Sequence, residues 1–252
     1  MKLIILKDEQ ALSNTAAKMV MDHVNDSPSG LLVFPTGNTP LGMFDALVSN
    51  YQNGLVSFKN SSLLELDEYF GIEINSSLNL FAWLDRTFIQ KVDFISENVY
   101  RFNSETLSPE NEIRRIDKII ESKNGIDLLV LGLGPNGHLG FNEPESDPAS
   151  PTRIVKLTPE SLRSNSRYWP EEFSVPTSGF TLGMDSLLKA KKIILLVQGS
   201  SKADILFSTL SSEISASIPS TFLRTLDNCY LLADQDASSK VPAALIQKFT
   251  CT

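Results

Sequence analysis

A glycine-rich segment, residues 132–144, contains one of the two histidines of the chain, His138, and places Glu143 five residues after it. The apolar run before it, residues 126–131, is typical of a buried parallel strand, and three glycines allow a sharp turn at its carboxyl end. Open α/β sheets bind their ligands at this end of the strands. A titratable ring beside a carboxylate in such a turn is suited to acid/base catalysis.

A second segment, residues 34–40, joins a predicted strand to a predicted helix and is suited to binding an anion. Thr36 and Thr39 offer hydroxyl groups, and Gly37 lets the backbone approach a ligand closely. The free N–H groups at the start of the helix favour a phosphate or a carboxylate. The segment lacks the Gly-Lys-Ser/Thr sequence of nucleotide P-loops, which argues against a nucleoside triphosphate. A capped turn without a ligand is the alternative interpretation.

Two neighbouring carboxylates, Asp67 and Glu68, follow a third predicted strand. Adjacent side chains on an extended chain point in opposite directions. One carboxylate can therefore face a pocket while the other caps a helix or pairs elsewhere. Solvated turn residues or simple helix caps are the alternative interpretation of this pair.

Two cations, Arg167 and Lys202, also lie close to predicted element ends. Lys202 follows Gly-Ser-Ser at the start of a predicted helix, where the helix dipole disfavours a positive charge. A bound anion would offset that penalty. Ordinary surface charges are the alternative interpretation of both residues.

The spacing of Gly132, Gly134 and Gly137 also fits the dinucleotide-binding pattern, which requires a helix to begin within the glycine turn. Here the glycines are followed by Pro144 and Pro148, which are incompatible with a regular helix. The next predicted strand ends without an acidic residue to bind a ribose. The sequence therefore argues against a nicotinamide-dependent dehydrogenase.

The elements that must position these residues alternate regularly between β-type and helical patterns. The predicted strands cover residues 3–6, 31–34, 63–66, 98–102, 127–131, 153–156, 193–197 and 230–233. The predicted helices cover residues 10–22, 40–52, 77–90, 109–123, 159–167, 201–210 and 239–249. This alternation predicts an α/β fold, a three-layer αβα sandwich with a Rossmann-like, mostly parallel sheet and helices on both faces. We expect a single domain spanning residues 1–252.

The net charge and the length of the apolar runs argue against several classes of binding partner. The formal charge of −8 argues against a nucleic-acid binder. Apolar runs are too short for a transmembrane helix, and the first residues lack a signal peptide's apolar core and cleavage site. We therefore expect a cytoplasmic protein that contacts neither nucleic acid nor membrane.

Six segments resemble, in the same order along the chain, the motifs of glucosamine-6-phosphate deaminases. They are residues 35–42, 66–71, 132–144, 152–154, 165–167 and 199–203. The resemblance implies a Rossmann-like αβα fold and an amino-sugar 6-phosphate substrate. It also implies an isomerising deamination that yields a ketose 6-phosphate and ammonia, with no organic cofactor and no metal. A homo-oligomer is left open.

The resemblance further implies the site residues. The catalytic residues would be Asp67, Asn136, His138 and Glu143. The residues that bind the 6-phosphate would be Thr36, Gly37, Asn38, Thr39, Arg167 and Lys202. In this scheme the imidazole opens the sugar ring with the support of Glu143, and Asp67 moves a proton from C2 to C1.

Two departures qualify the resemblance. Asn136 stands where glucosamine-type members usually carry Asp, and this version of the loop, with residues 181–183 and 217–220, is closer to galactosamine-6-phosphate isomerases. Allosteric members use a basic pair near Arg153, whereas Val155 occupies the second position here, which argues against allosteric activation. A hydrolase resembling 6-phosphogluconolactonase and a non-catalytic sugar-phosphate sensor are the alternative functions.

Overall fold

The structure, a computed structural model, describes residues 1–170 and 173–250. Short apolar segments form its strands: β1 (Lys2–Leu6), β2 (Leu31–Phe34), β3 (Ser62–Glu65), β4 (Asp67–Tyr69), β5 (Val99–Tyr100), β6 (Leu128–Gly132), β7 (Arg153–Lys156), β8 (Ser178–Thr181), β9 (Ile193–Val197) and β10 (Cys229–Asp234). In the described residues, seven of these strands form one parallel sheet in the order β1-β10-β9-β6-β2-β3-β5. The carboxyl ends of the central strands therefore meet along one edge.

Amphipathic segments between the strands form the helices. These are α1 (Glu9–Asp26), α2 (Leu41–Gln52), α3 (Leu80–Thr87), α4 (Pro109–Ser122), α5 (Pro159–Asn165), α6 (Met184–Leu188), α7 (Ala203–Ser211) and α8 (Ala243–Thr250). Short 3-10 helices cover residues 89–91, 96–98, 166–168, 200–202 and 219–225. None of the helices in the described ranges has the length and apolar character needed to cross a membrane.

Alternating side chains of β2 bury against helices on both sides of the large sheet. Leu31 and Val33 belong to an apolar cluster that includes residues of α4, α7 and α8. Leu32 and Phe34 belong to the opposite cluster, which includes residues of α1, α2 and α3. Because strand side chains alternate between faces, a central strand covered on both faces must be apolar throughout. The predicted three-layer α/β architecture is confirmed.

The described residues also form a second, antiparallel sheet, which is separate from the large sheet and has the strand order β4-β8-β7. The sequence interpretation placed residues 153–156 in the largely parallel sheet, but they pair antiparallel with β8, Arg153 opposite Thr181. That assignment was wrong because an apolar-polar pattern does not specify a strand's partner. Strands β4 and β8 and helix α6 were not predicted, since they are short and β8 contains Gly179.

Several helix boundaries follow from local capping chemistry. Helix α3 begins at Leu80 rather than at residue 77 because the Asn79 side chain accepts a hydrogen bond from Ala82 N at 2.6 Å, which makes Asn79 the N-cap. Helix α8 begins at Ala243, directly after Pro242, rather than at residue 239. The predicted helix 159–167 divides into α5 and a 3-10 turn.

The aromatic cluster beneath α2 and α3 provides a test of this packing. The fully buried Phe88 lies 5.6 Å from Phe34, 4.8 Å from Phe44 and 5.3 Å from Phe58, measured between ring centroids. We expect Phe88→Ala to lower the free energy of unfolding by about 3 to 5 kcal/mol, measured by urea unfolding. The control Leu107→Ala removes a side chain that is 99% exposed and should change it by less than about 0.5 kcal/mol. Equal effects of both variants would contradict the packing described.

Candidate active site

A cavity of about 280 Å³ opens at the carboxyl ends of the central strands of the large sheet. Six stretches of chain contribute to its wall: residues 35–39; Leu66, Asp67 and Tyr69; residues 77–80 with Trp83 and Arg86; residues 132–135 with His138, Gly140 and Phe141; Ser164, Asn165 and Trp169; and Lys202. Among the predicted site residues, the wall includes Thr36, Gly37, Asn38, Thr39, Asp67, His138 and Lys202. Segments that are distant in sequence therefore converge on one cavity. Asn136, Glu143 and Arg167 are not part of this wall.

Asp67 begins β4 and is 6% exposed, with its side chain in the cavity wall. A Cβ atom built on Gly140 would lie 3.3 Å from Asp67 Oδ2. Gly140 has a φ of +59°, a conformation that favours glycine. The Asp67 carboxylate therefore faces the loop that carries His138, and this close approach is one reason for a glycine there.

The surroundings of Asp67 disfavour its charged form. Burial is the main cause, and the nearby charge of Glu68 adds to it, so that the pKa of Asp67 rises to about 8. An aspartate with this pKa is a much stronger base, once ionised, than an aspartate in water. Such a shift at a cavity wall is typical of a catalytic carboxylate.

Glu68 is not part of the cavity wall and binds the backbone at the start of α3. Its Oε1 accepts hydrogen bonds from Tyr69 N at 2.7 Å and Leu80 N at 3.0 Å, and its Oε2 accepts one from Phe81 N at 3.0 Å. Burial raises the pKa of Glu68, and the bonds from Leu80 and Phe81 act in the opposite direction. The structure therefore places one of the two adjacent carboxylates in the cavity wall and the other at the start of a helix.

A third carboxyl group, Glu65, lies behind this pair and was missed in the sequence interpretation. It is buried at the end of β3, and its Oε2 accepts a hydrogen bond from Phe102 N at 2.9 Å. Burial and the neighbouring Glu68 raise the pKa of Glu65 well above its ordinary value. Its position inside the apolar run Leu-Leu-Glu-Leu was the available signal, because a charged residue rarely occupies a strand that is buried on both faces.

His138 is paired with Glu143, with 3.3 Å between His138 Nδ1 and Glu143 Oε2. Asn136 contacts both residues: its side-chain amide donates to Glu143 Oε2 at 2.9 Å, and its Oδ1 accepts from His138 N at 3.2 Å. Glu143 and Asn136 therefore support the imidazole from outside the cavity wall. An aspartate at residue 136 could not donate the bond to Glu143 in its ionised form.

The Glu143 carboxylate is held in its charged form. Burial acts against the charge, but the hydrogen bond and charge of His138 and the hydrogen bonds of Ser161 and Asn136 prevail, so that the pKa of Glu143 falls to about 2. The charged carboxylate is positioned to orient the imidazole ring through its contact with Nδ1.

Gly134 lets the imidazole lie against the backbone of its own loop. A Cβ atom built on Gly134 would overlap Cγ, Cδ2 and Nε2 of His138. Any side chain there would displace the ring. This contact accounts for Gly134, one of the three glycines whose spacing fits the dinucleotide-binding pattern. A bound dinucleotide is not needed to explain it.

The segment predicted to bind an anion occupies the cavity wall between β2 and α2. Lys202 lies in the same wall, just before α7, and its Nζ donates to Leu133 O at 2.7 Å. Burial lowers the pKa of Lys202. A cation that is half removed from water beside a strand-to-helix turn is suited to binding a phosphate group.

Arg167 does not join this group, because its side chain is exposed and lies outside the cavity wall. Arg86 does line the cavity, and its Nη1 donates to Ser77 O at 3.0 Å. Sequence reasoning missed Arg86 because a cation in the last turn of a helix is commonly explained by the helix dipole.

An aromatic section of the wall was also missed. Tyr69 lies 5.5 Å from Phe141 and 5.4 Å from Trp169, measured between ring centroids. These rings belong to a small apolar cluster between the antiparallel sheet and α5.

In the described residues, no three His, Cys, Asp or Glu side chains lie close enough together to hold a metal ion.

Comparison with known proteins identifies relatives over nearly the whole chain. Residues 7–231 match the family described as glucosamine-6-phosphate isomerases/6-phosphogluconolactonase. A glucosamine-6-phosphate deaminase from Thermoanaerobacter sp. (strain X514) is 34% identical over 242 residues, which cover 96% of this chain and 96% of that protein. Another, from Clostridium novyi (strain NT), is 34% identical over 241 residues, which cover 96% of this chain and 100% of that protein.

Solved structures agree with these sequence relationships. A monomeric glucosamine-6-phosphate deaminase superposes with a TM-score of 0.92 at 32% identity, covering 95% of this chain and 100% of that one. A 6-phosphogluconolactonase from Trypanosoma brucei, with a TM-score of 0.74 at 17% identity over 96% of this chain and 98% of that one, shares the fold. The chain belongs to the glucosamine-6-phosphate isomerase/6-phosphogluconolactonase family.

Proposed function

We propose that this protein is an amino-sugar 6-phosphate deaminase that converts glucosamine 6-phosphate to fructose 6-phosphate and ammonia. One observation carries the proposal: the carboxylate of Asp67 and the His138–Glu143 pair converge on a cavity whose wall also includes residues 36–39 and Lys202. The relatives at 34% identity are named for this reaction.

The imidazole of His138 performs the ring opening. It takes the proton from the O1 hydroxyl and delivers one to the ring oxygen as the bond between C1 and that oxygen breaks, leaving an open-chain aldehyde. Glu143 stabilises the transient imidazolium through its contact with Nδ1. Asn136 holds Glu143 in place. General acid/base catalysis of this kind typically contributes about 10²- to 10⁴-fold.

Asp67 performs the isomerisation. Its carboxylate removes the proton from C2 while the aldehyde oxygen O1 takes a proton from the ammonium group of the substrate, which gives an enolamine with a hydroxyl on C1 and a double bond between C1 and C2. The carboxyl group of Asp67 then returns its proton to C1, and the resulting iminium at C2 is hydrolysed by water to the ketone and ammonia. The raised pKa of Asp67 suits both halves of this transfer, because the group must first accept and then donate a proton near neutral pH.

The phosphate of the substrate is bound by the backbone and hydroxyl groups of residues 36–39 and by the ammonium of Lys202. Charge-assisted hydrogen bonds to the phosphate fix the far end of the sugar, so that C1 and C2 lie beside the acid/base groups. Arg167 remains a predicted phosphate ligand. For Arg167 to reach the cavity, the 3-10 turn that follows α5 would have to move inward.

Galactosamine 6-phosphate is the second candidate substrate, and Asn136 is the observation that favours it. The direct test is to incubate the purified protein with each amino-sugar phosphate and to measure ammonia and ketose 6-phosphate. We expect release from glucosamine 6-phosphate at the higher kcat/KM. Release from the galactosamine compound alone would reverse the substrate assignment, whereas binding of either without release would indicate a sensor. Hydrolysis of 6-phosphogluconolactone instead would indicate the hydrolase.

Asp67→Asn keeps the size of the side chain and removes the base. We expect kcat to fall by at least about 10³-fold while the affinity for the amino-sugar phosphate, measured by calorimetry, stays within a few-fold. The matched control is Glu73→Gln, which neutralises an exposed carboxylate on the same segment. Near-normal turnover by Asp67→Asn would show that another group removes the C2 proton.

The raised pKa of Asp67 also makes a prediction about stability. Because the folded protein disfavours the Asp67 anion, this group binds its proton more tightly in the folded state than in the unfolded chain. Its contribution to the free energy of unfolding is therefore lost as the pH rises from about 4 towards about 8. We expect Asp67→Asn to become progressively more stable than the natural protein over this interval, with a slope of at most about 1.4 kcal/mol per pH unit. Urea unfolding at pH 5, 6.5 and 8 measures this difference, and a constant difference would contradict the shift.

A further inference from the structure

The first turn of α5 contacts both members of the acid/base pair. Thr158, the N-cap of α5, lies with its backbone N 3.4 Å from Glu143 Oε1. One turn later, Ser161 Oγ lies 3.4 Å from His138 Nδ1. Ser161 N donates to Thr158 Oγ1 at 3.2 Å, which fixes the two residues relative to each other.

Ser161 is 1% exposed, so its hydroxyl has no access to bulk water and requires partners within the protein. His138 Nδ1 lies within its hydrogen-bonding reach. Ser161 also helps to hold the pKa of Glu143 below its ordinary value. A serine hydroxyl can accept one hydrogen bond and donate another at the same time.

We propose that Ser161 is a positioning residue for the acid/base pair, with a hydroxyl that accepts from His138 Nδ1 and donates to the Glu143 carboxylate. This arrangement requires the hydrogen of the neutral imidazole to be on Nδ1. The lone pair of Nε2, on the side that packs against Gly134 in the cavity wall, is then available to take the proton from O1. The inference rests on the proposed function.

Ser161 connects the imidazole of His138 to the part of the cavity wall that α5 provides. Helix α5 continues from Ser161 to Ser164 and Asn165, which line the cavity, and Trp169 follows shortly after. The contacts of 3.3 and 3.4 Å around His138 Nδ1 are long. Catalytic hydrogen bonds are often long without substrate and shorten in the Michaelis complex. A movement of α5 towards the cavity would shorten the contact between Thr158 N and Glu143 Oε1 and the contact between Ser161 Oγ and His138 Nδ1.

The test compares Ser161→Ala and Ser161→Thr with the natural protein. Because the chain has two histidines, the ring-nitrogen NMR signals of His138 can be resolved, with those of His23 as an internal reference. We expect the natural protein to carry the neutral-ring hydrogen on Nδ1. Ser161→Ala should show a mixture of the two tautomers, and kcat should fall about tenfold with KM within twofold, as expected from the loss of one hydrogen bond. Ser161→Thr keeps the hydroxyl and should restore the Nδ1 tautomer and most of kcat.

Ser13→Ala is the matched control, since it removes a buried hydroxyl of α1 that is not part of the cavity wall, and should change neither readout. An unchanged tautomer in Ser161→Ala would overturn the proposal whatever happens to kcat, because a purely structural role could also lower activity. The tautomer is measured without substrate, and the activity of the natural protein is measured separately. A failure of this inference can thus be told apart from a failure of the proposed function.

Discussion

The site depends on one physical constraint, the burial of the Asp67 carboxyl group beside a second acidic residue. A buried carboxylate is costly unless its charge is neutralised or hydrogen-bonded. Glu68 is stabilised by three backbone N–H groups, whereas Asp67 is left in the cavity wall with a pKa of about 8. The short strand β4 makes this difference, because its extended backbone sends the two neighbouring side chains to opposite sides.

The loop that follows β6 holds a carboxyl group with the opposite property, because its surroundings favour the charged form. Glu143 is surrounded by donors, and its pKa falls to about 2. The cavity wall thus contains one carboxyl group, Asp67, with a raised pKa, whereas Glu143, outside the wall, keeps its charge. Groups whose environments push their pKa values apart in this way are the basis on which acid/base roles are divided between side chains of the same type. Gly134 lets the imidazole of His138 lie against its own loop, and Gly140 lets the same loop approach the Asp67 carboxylate closely.

Much of this arrangement could be predicted from the sequence. Continuous apolar runs such as residues 193–197 identify buried parallel strands, and ligand sites lie where such strands end. The small antiparallel sheet could not be predicted, because the pairing of Asp67 with Thr181 joins segments more than 100 residues apart and β8 has no strong strand pattern. Arg86 and Glu65 were missed for a related reason. The role of a single charged residue depends on what the fold places next to it, and a sequence pattern does not contain that information.

The cap of α3 has a further consequence. Since Glu68 satisfies the first backbone amides of the helix that carries Trp83 and Arg86, any tilt of that helix would strip donors from Glu68 and alter how strongly its neighbour holds a proton. The proton affinity of the Asp67 carboxylate thus depends on the position of α3, which contributes Trp83 and Arg86 to the cavity wall. A molecule that displaced α3 from within the cavity would change that proton affinity without touching Asp67.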